Sequence, residues 1–214
     1  MTQRTIYRWL CMTLIMAVGA IPTDRCVGEE SERSIFFIEE DWELVLNEPA
    51  PEINSPQVSF FVFPNSEDEN SYFQLQMNYA AEESYSSGGF RVTAVRQSNP
   101  VDDERSDDRQ LWTIHGDRIR WTTVMASMDN KYLFAIKNGQ SEDWGEFGGP
   151  DYLVEMIHEG SLGLSRYTPV KSLENVDIGF GANRVGSITL KNVRVVYNDG
   201  HVRTVSVNQS VEMN

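Results

Sequence analysis

Apolar and polar side chains alternate from residue 71 to residue 79. Phe73, Leu75, Met77 and Tyr79 fall on one side, and Tyr72, Gln74, Gln76 and Asn78 on the other. Successive side chains of an extended backbone point to opposite faces, so this period of two marks a strand with one face in a core. The pattern returns at Phe90, Val92 and Ala94, at Ile119, Trp121, Thr123 and Met125, and at Tyr132, Phe134 and Ile136. No window of twelve residues after Glu30 keeps the 3.6-residue period of an amphipathic helix. A chain so patterned buries its apolar surface by packing sheets.

Further strands are expected at 35–46, 57–63, 111–114, 152–157, 162–167 and 175–180. A closing hairpin joins 187–197 to 202–207 through Asn198-Asp199-Gly200. Asn138-Gly139 reads as the turn that ends the strand 131–137. Within 187–197 the apolar residues change from even to odd positions at Asn192-Val193, which predicts a bulge or burial on both faces. The longest polar stretch, 98–109, reads as a loop. Eleven or twelve strands without long helices predict an all-β, two-sheet antiparallel sandwich of the jelly-roll kind; a closed barrel is the alternative.

The N-terminus differs from the rest. Arg4 and Arg8 precede an apolar run, Trp9 to Val18, and small residues follow at Gly19, Ala20 and Gly28. About ten apolar residues are too few to span a hydrocarbon core, so 1–28 reads as a signal peptide, with a single domain over 29–214 and a secreted or periplasmic location. A buried N-terminal helix is the competing reading. Cys11 and Cys26, the two cysteines of the chain, would leave with that segment. The mature chain would then hold no disulfide and no transmembrane segment. With 18 basic and 32 acidic residues the net charge is −14, which repels a phosphate backbone and argues against nucleic acid as a partner.

The meander from Leu111 to Asn138, and the stretch from Ile178-Gly179-Phe180-Gly181 through Val193-Arg194-Val195, resemble exported bacterial β-sandwich domains of the concanavalin A-like, laminin G-like superfamily. That resemblance implies binding or cleavage of polysaccharide. The carboxylate-bearing strand of the superfamily's glucanases, Glu-x-Asp-x-x-Glu or Glu-x-Asp-x-Glu, has no counterpart; Glu39-Glu40-Asp41-Trp42-Glu43 has different spacing.

Sugar recognition needs aromatic faces for C–H surfaces and amides or carboxylates for hydroxyls. The glycine-rich segment 138–150 supplies Trp144 and Phe147 flanked by Glu142, Asp143 and Glu146. Either Trp144 meets ligand, or it plugs the open end of the sandwich. Gln74 and Gln76 would line a groove if their sheet is concave, with Arg91 or Arg120 near. Trp112 and Trp121 sit at core positions of the alternation. Asp102, Asp103, Glu104, Asp107 and Asp108 cluster in one loop, a candidate site for a metal, calcium, which takes about six to eight oxygens; otherwise they are a solvated turn. The acidic stretch 65–70 has the same two readings. His115, His158 and His201 form no ligand-spaced pair. Glu155 shares its strand face with Leu153 and Ile157 and is a candidate acid, but a Gly-x-Ser-x-Gly elbow and a phosphate loop are both absent. The expectation is an exported, non-catalytic, lectin-like carbohydrate-binding domain. A structural or protein-interaction domain at the cell surface, and then a glycan-active hydrolase, are the alternatives.

Overall fold

A computed structural model describes residues 33–49, 55–78, 88–107, 109–112, 115–149, 152–160 and 163–211. The proposed signal peptide, 1–28, lies outside them. Twelve strands form among the described residues: β1 (Ile35–Leu46), β2 (Gln57–Val62), β3 (Tyr72–Met77), β4 (Phe90–Arg96), β5 (Asn99–Arg105), β6 (Asp117–Met128), β7 (Lys131–Ser141), β8 (Gly145–Phe147), β9 (Val154–Ile157), β10 (Val176–Phe180), β11 (Val185–Tyr197) and β12 (Val202–Ser210). They make two antiparallel sheets. The seven-stranded sheet runs β12-β11-β1-β6-β7-β8, with β9 also on β7, and the five-stranded sheet runs β10-β2-β3-β4-β5. The chain crosses repeatedly between sheets, so β1 lies between β11 and β6, strands far from it in sequence.

The inward positions of both sheets meet in one core. Trp42 of β1 and Trp121 of β6 stack with ring centroids 6.3 Å apart. Phe60 of the opposite sheet meets them edge-on at 5.3 and 5.0 Å. Phe73 and Phe134 stack across the same gap at 5.1 Å. Such pairs add about 0.5–1.5 kcal/mol each beyond the area they bury. Trp112 and Trp121 are core residues, at 0% and 2% exposure.

One inward position is charged. In β1 the core face reads Ile38, Glu40, Trp42, Leu44, and Glu40 is wholly buried. Its carboxylate accepts hydrogen bonds from Trp42 Nε1 (3.1 Å), Thr123 Oγ1 (2.9 Å), Tyr167 OH (2.6 Å) and Ser172 Oγ (2.6 Å). A buried ion is tolerable only when its lone pairs are filled in this way. The last two donors fix the segment between β9 and β10 to the core. That segment holds a 3-10 turn, Leu164–Arg166, and a short helix α1 (Pro169–Glu174), which begins with Thr168 as N-cap and Pro169 in the first turn.

Several local expectations are corrected. The stretch 98–109 is not a loop, because β5 occupies Asn99–Arg105, returning from β4 through Gln97 and Ser98 at φ 49° and 63°. Two consecutive left-handed residues make the hairpin turn that normally selects Asn-Gly, and Gln-Ser hides it. β7 does not end at Asn138-Gly139. Asn138 takes φ 55°, and pairing with β6 jumps from Thr122↔Lys137 to Arg120↔Gln140, so the residues form a bulge and the strand continues to Ser141. The segment expected as a strand at 162–167 is the 3-10 turn, Leu111 and Trp112 belong to no strand, and β3 stops before Asn78 at φ 57°. The bulge expected near Asn192 is present, since β1 pairs Asp41 with Asn192 but Trp42 with Leu190.

Candidate functional site

Asp117, at the start of β6, builds the turn between β7 and β8. Its carboxylate accepts from Ser141 Oγ and from the backbone N–H groups of Glu142 (2.9 Å) and Asp143 (3.3 Å). Ser141 Oγ in turn accepts from Trp144 N (3.0 Å). The turn drives Trp144 inward rather than out. Its ring stacks on Trp112 at 4.3 Å, lies 5.5 Å from Phe147, and donates from Nε1 to Gln110 O (2.8 Å). Trp144 and Phe147 are 4% and 5% exposed, so of the two readings of this segment the plug at the end of the sandwich describes Trp144, and neither ring is presented openly as a platform. Asp143 is turned in as well, its side chain 4% exposed and 2.8 Å from His115 Nε2. Arg184, buried nearby, donates to the carbonyls of Trp112, His115 (2.7 Å) and Asn47 (3.0 Å). Burial lowers its pKa and the charge of Asp143 opposes that shift.

Outside this plug the same turn leaves a groove. It has a volume of about 400 Å3 and is lined by Arg109, Asn138, Gln140, Glu146 and Tyr152 with the Gly139–Phe147–Gly148 surface between them. Asn138, Gln140 and Glu146 are exposed, while Arg109 and Tyr152 are half-buried. Arg109 is held by an Nη1 bond to Trp144 O (2.9 Å), and its buried Nε has no acceptor among the described residues. Gly139 lets Phe147 pack directly against β7, because a Cβ there would lie 2.4 Å from the Phe147 ring. Of the residues expected at a site, Glu146 lines this groove with its side chain exposed, Phe147 forms part of its wall while nearly buried, and Glu142 is exposed on the turn beside it. Arg109, Gln140 and Tyr152 were not anticipated.

The groove ends a polar row on the outer face of the seven-stranded sheet. Ser210, Thr189, Glu43, Arg120, Gln140 and Glu146 stand opposite one another on consecutive strands from β12 to β8. Glu43 pairs with Arg118 and Arg120, each at 2.9 Å. Burial raises its pKa, but those two hydrogen bonds and charges outweigh it and hold the carboxyl below its usual range. The next row holds Asp41, bonded to Thr122 Oγ1 (2.8 Å) and Asn192 Nδ2 (3.4 Å), and the next Glu39, bonded to Lys137 and to Arg194 (2.8 Å).

Gln74 and Gln76 lie elsewhere, on the outer face of the five-stranded sheet. Gln76 stands opposite Arg91, and Gln74 opposite the half-buried Phe61, whose ring is 5.6 Å from Tyr72. Arg91 is therefore their neighbour and Arg120 belongs to the other sheet. Asn78 leaves the ladder altogether: it is fully buried and donates to Ser55 Oγ and Pro56 O, each at 2.6 Å.

The acidic candidates are dispersed. Asp102 and Asp103 are consecutive on β5 and point to opposite faces. Asp102 accepts from Glu155 N (3.0 Å), Asp103 lies 3.3 Å from Arg105, Asp107 is exposed after the strand, and Asp108 lies outside the described residues. In the stretch 65–70, Glu67 pairs with Arg166 and Glu69 with Lys171 (2.6 Å). Among the described residues no group of three or more His, Cys, Asp or Glu side chains is placed to hold a metal ion. Glu155 sits on β9 beside Lys131 at 3.4 Å, so its surroundings are ionic as well as apolar. No helix of the described residues is long and apolar enough to cross a membrane.

No family model and no curated protein matches the chain. Among solved structures it is similar to sheep galectin-11 in complex with glycerol, at 10% identity over 80% of this chain and 91% of that one, with a TM-score of 0.33. It is similar to chicken galectin 2 at 12% identity over 74% and 98% of the two chains, with a TM-score of 0.29. It is also similar to scytalido-glutamic peptidase with a peptide-based transition-state analogue, at 11% identity over 83% and 85%, with a TM-score of 0.31. At such scores the two-sheet fold stands on this chain's own strand pairing.

Proposed function

We propose that the chain is an exported, non-catalytic carbohydrate-binding domain that takes glycan hydroxyls at the groove beside β8. The observation that carries this reading is the convergence there of Arg109, Asn138, Gln140 and Glu146 around the half-buried Tyr152. A sugar presents neighbouring hydroxyls that each donate and accept. A guanidinium donates, a carboxylate accepts, and the two amides do both. Arg109 is half-buried and anchored through its bond to Trp144 O, which holds its side chain in place at the groove. Net hydrogen bonds of about 0.5–1.5 kcal/mol, rising to about 3 where one partner is charged, give a shallow site of this size millimolar to micromolar affinity. Among the described lining residues Glu146 is the one carboxylate, whereas acid–base hydrolysis uses two, about 5–9 Å apart. Because the acidic side chains at 67, 69 and 103 face cations of the protein, binding is expected to be independent of calcium. The leader-like composition of 1–28 supports export.

Calorimetric titration of the full chain against a panel of oligosaccharides tests the reading. Arg109→Ala and Gln140→Ala should each weaken binding by about tenfold, Gln140→Ala with an unchanged melting temperature and Arg109→Ala with a slightly lowered one because its bond to Trp144 O is lost, and chelator should leave binding unaltered. Saturable binding that survives both substitutions places the sugar elsewhere, with the Phe61, Tyr72, Gln74 and Gln76 face next to be tested. No binding across the panel rejects the proposal in favour of a protein-interaction role, for which the exposed Val202 and Val205 of β12 speak.

A further inference from the structure

The strand β12 is exposed along its whole length, on both faces, apart from the half-buried Val207. It is an outer strand of the seven-stranded sheet, and among the described residues nothing pairs with its open side. Open strand edges invite pairing, and proteins blunt them with charge, proline or brevity. The other edges of this molecule are blunted. β8 has three residues and Glu146; β5 carries Pro100, Asp102, Asp103 and Glu104; β10 has Asp177; β9 has Glu155. β12 has nine residues, no acid and one charge, Arg203, in a chain whose net charge is −14. Two copies that repel elsewhere meet least opposition here.

The hydrogen-bond phase of β12 says how they would meet. Tyr197 N donates to His201 O (2.9 Å), and Val195 pairs with Arg203, Arg194 with Thr204 and Val193 with Val205. Since bonded and non-bonded pairs alternate along an antiparallel ladder, Arg203 and Val205 spend their backbone groups on β11. Val202, Thr204 and Ser206 aim theirs at the open side. Beyond Ser206 a bulge intervenes, with Asn208 at φ 47° and the register skipping from Ser206↔Asn192 to Gln209↔Leu190.

We infer that a second copy of this chain pairs with β12, antiparallel, about a two-fold axis at Thr204. Thr204 then exchanges both backbone bonds with Thr204 of the other copy, and Val202 does so with Ser206. Arg203 falls opposite Val205 and never opposite itself. The contact is self-complementary, as a two-fold interface must be. It is also small, so association is reversible and strengthens with salt.

Sedimentation of the full chain should give a mass that climbs from monomer toward dimer as concentration approaches about 0.5 mM. Thr204→Pro removes an N–H that β11 does not use, and should weaken the dimer about thirtyfold without lowering the melting temperature. A second arm does not depend on that variant folding. With Cys11→Ser and Cys26→Ser as background, Thr204→Cys should be joined to its counterpart by a short bis-maleimide, since the paired Cα atoms lie about 5.5 Å apart. Asp199→Cys should not, because the two turns lie ten residues, about 33 Å, apart along the strands. A monomer at all concentrations, a dimer untouched by Thr204→Pro, or equal cross-linking at both positions overturns the inference.

Discussion

Glu40 occupies a place in β1 where every neighbour on its face is apolar, and four donors surround it. Replacing it by alanine leaves Trp42 Nε1 and three hydroxyls without an acceptor in the core. The expected loss is about 3–5 kcal/mol in urea unfolding, whereas Glu40→Gln, whose amide can donate to a reoriented hydroxyl, should lose about half of that. Titrating groups set the pH range. Burial, with the Arg96 charge, lowers the pKa of His158 below its ordinary 6.5, so the unfolded chain binds that proton first. Stability from His158 is complete above pH 6.5 and is lost as pH falls through the lowered value. Tyr132 is pushed up to about 12 by burial and by Asp68, and Tyr167 is raised well above 10 by burial and by Glu40. Their contribution is complete below pH 10 and fades above it. Urea midpoints across pH should therefore form a plateau between these limits, and His158→Gln should flatten its acid side.

Strands announce themselves when one face is buried and their turns use the usual residues. β1, β2, β3 and β6 were legible because the inward face of each keeps a period of two, and the closing hairpin because Asn198-Asp199-Gly200 marks its turn. β5 was hidden by Gln97-Ser98 in a turn that glycine would reveal, and by a run of charge suited to an open edge. Gln97→Asn combined with Ser98→Gly should accordingly raise stability by about 0.5–1 kcal/mol in thermal unfolding. The true length of β7 was hidden by the bulge at Asn138, where an Asn-Gly pair serves a kink instead of a hairpin. Glu40 was available to the same periodic reading, as the acid on the Ile38, Trp42, Leu44 face. The groove was less accessible, because Arg109 and Tyr152 lie outside the segment 138–150 and reach Asn138, Gln140 and Glu146 only once the sheet has formed. Trp144 illustrates the limit of composition: polar, flexible neighbours surround it in sequence, and Asp117, more than twenty residues away, decides that it points inward.

Across the whole molecule, the seven-stranded sheet places β8 and β12 at opposite ends. Five inter-strand steps at about 4.8 Å put the groove roughly 24 Å from the open edge. Two copies joined at β12 would form one continuous sheet and hold their grooves about 53 Å apart, at its two far margins and too distant to share one sugar. Such a pair is bivalent. Each groove can remain weak while the pair clings to a surface bearing many glycans, because the second contact is made at the high local concentration left by the first. Thr204→Pro should then keep its affinity for a soluble oligosaccharide yet wash readily from an immobilised polysaccharide, a difference that surface plasmon resonance would register as faster dissociation. If both proposals hold, the separation of edge and groove would give a modest binding site a way to cross-link neighbouring glycan chains.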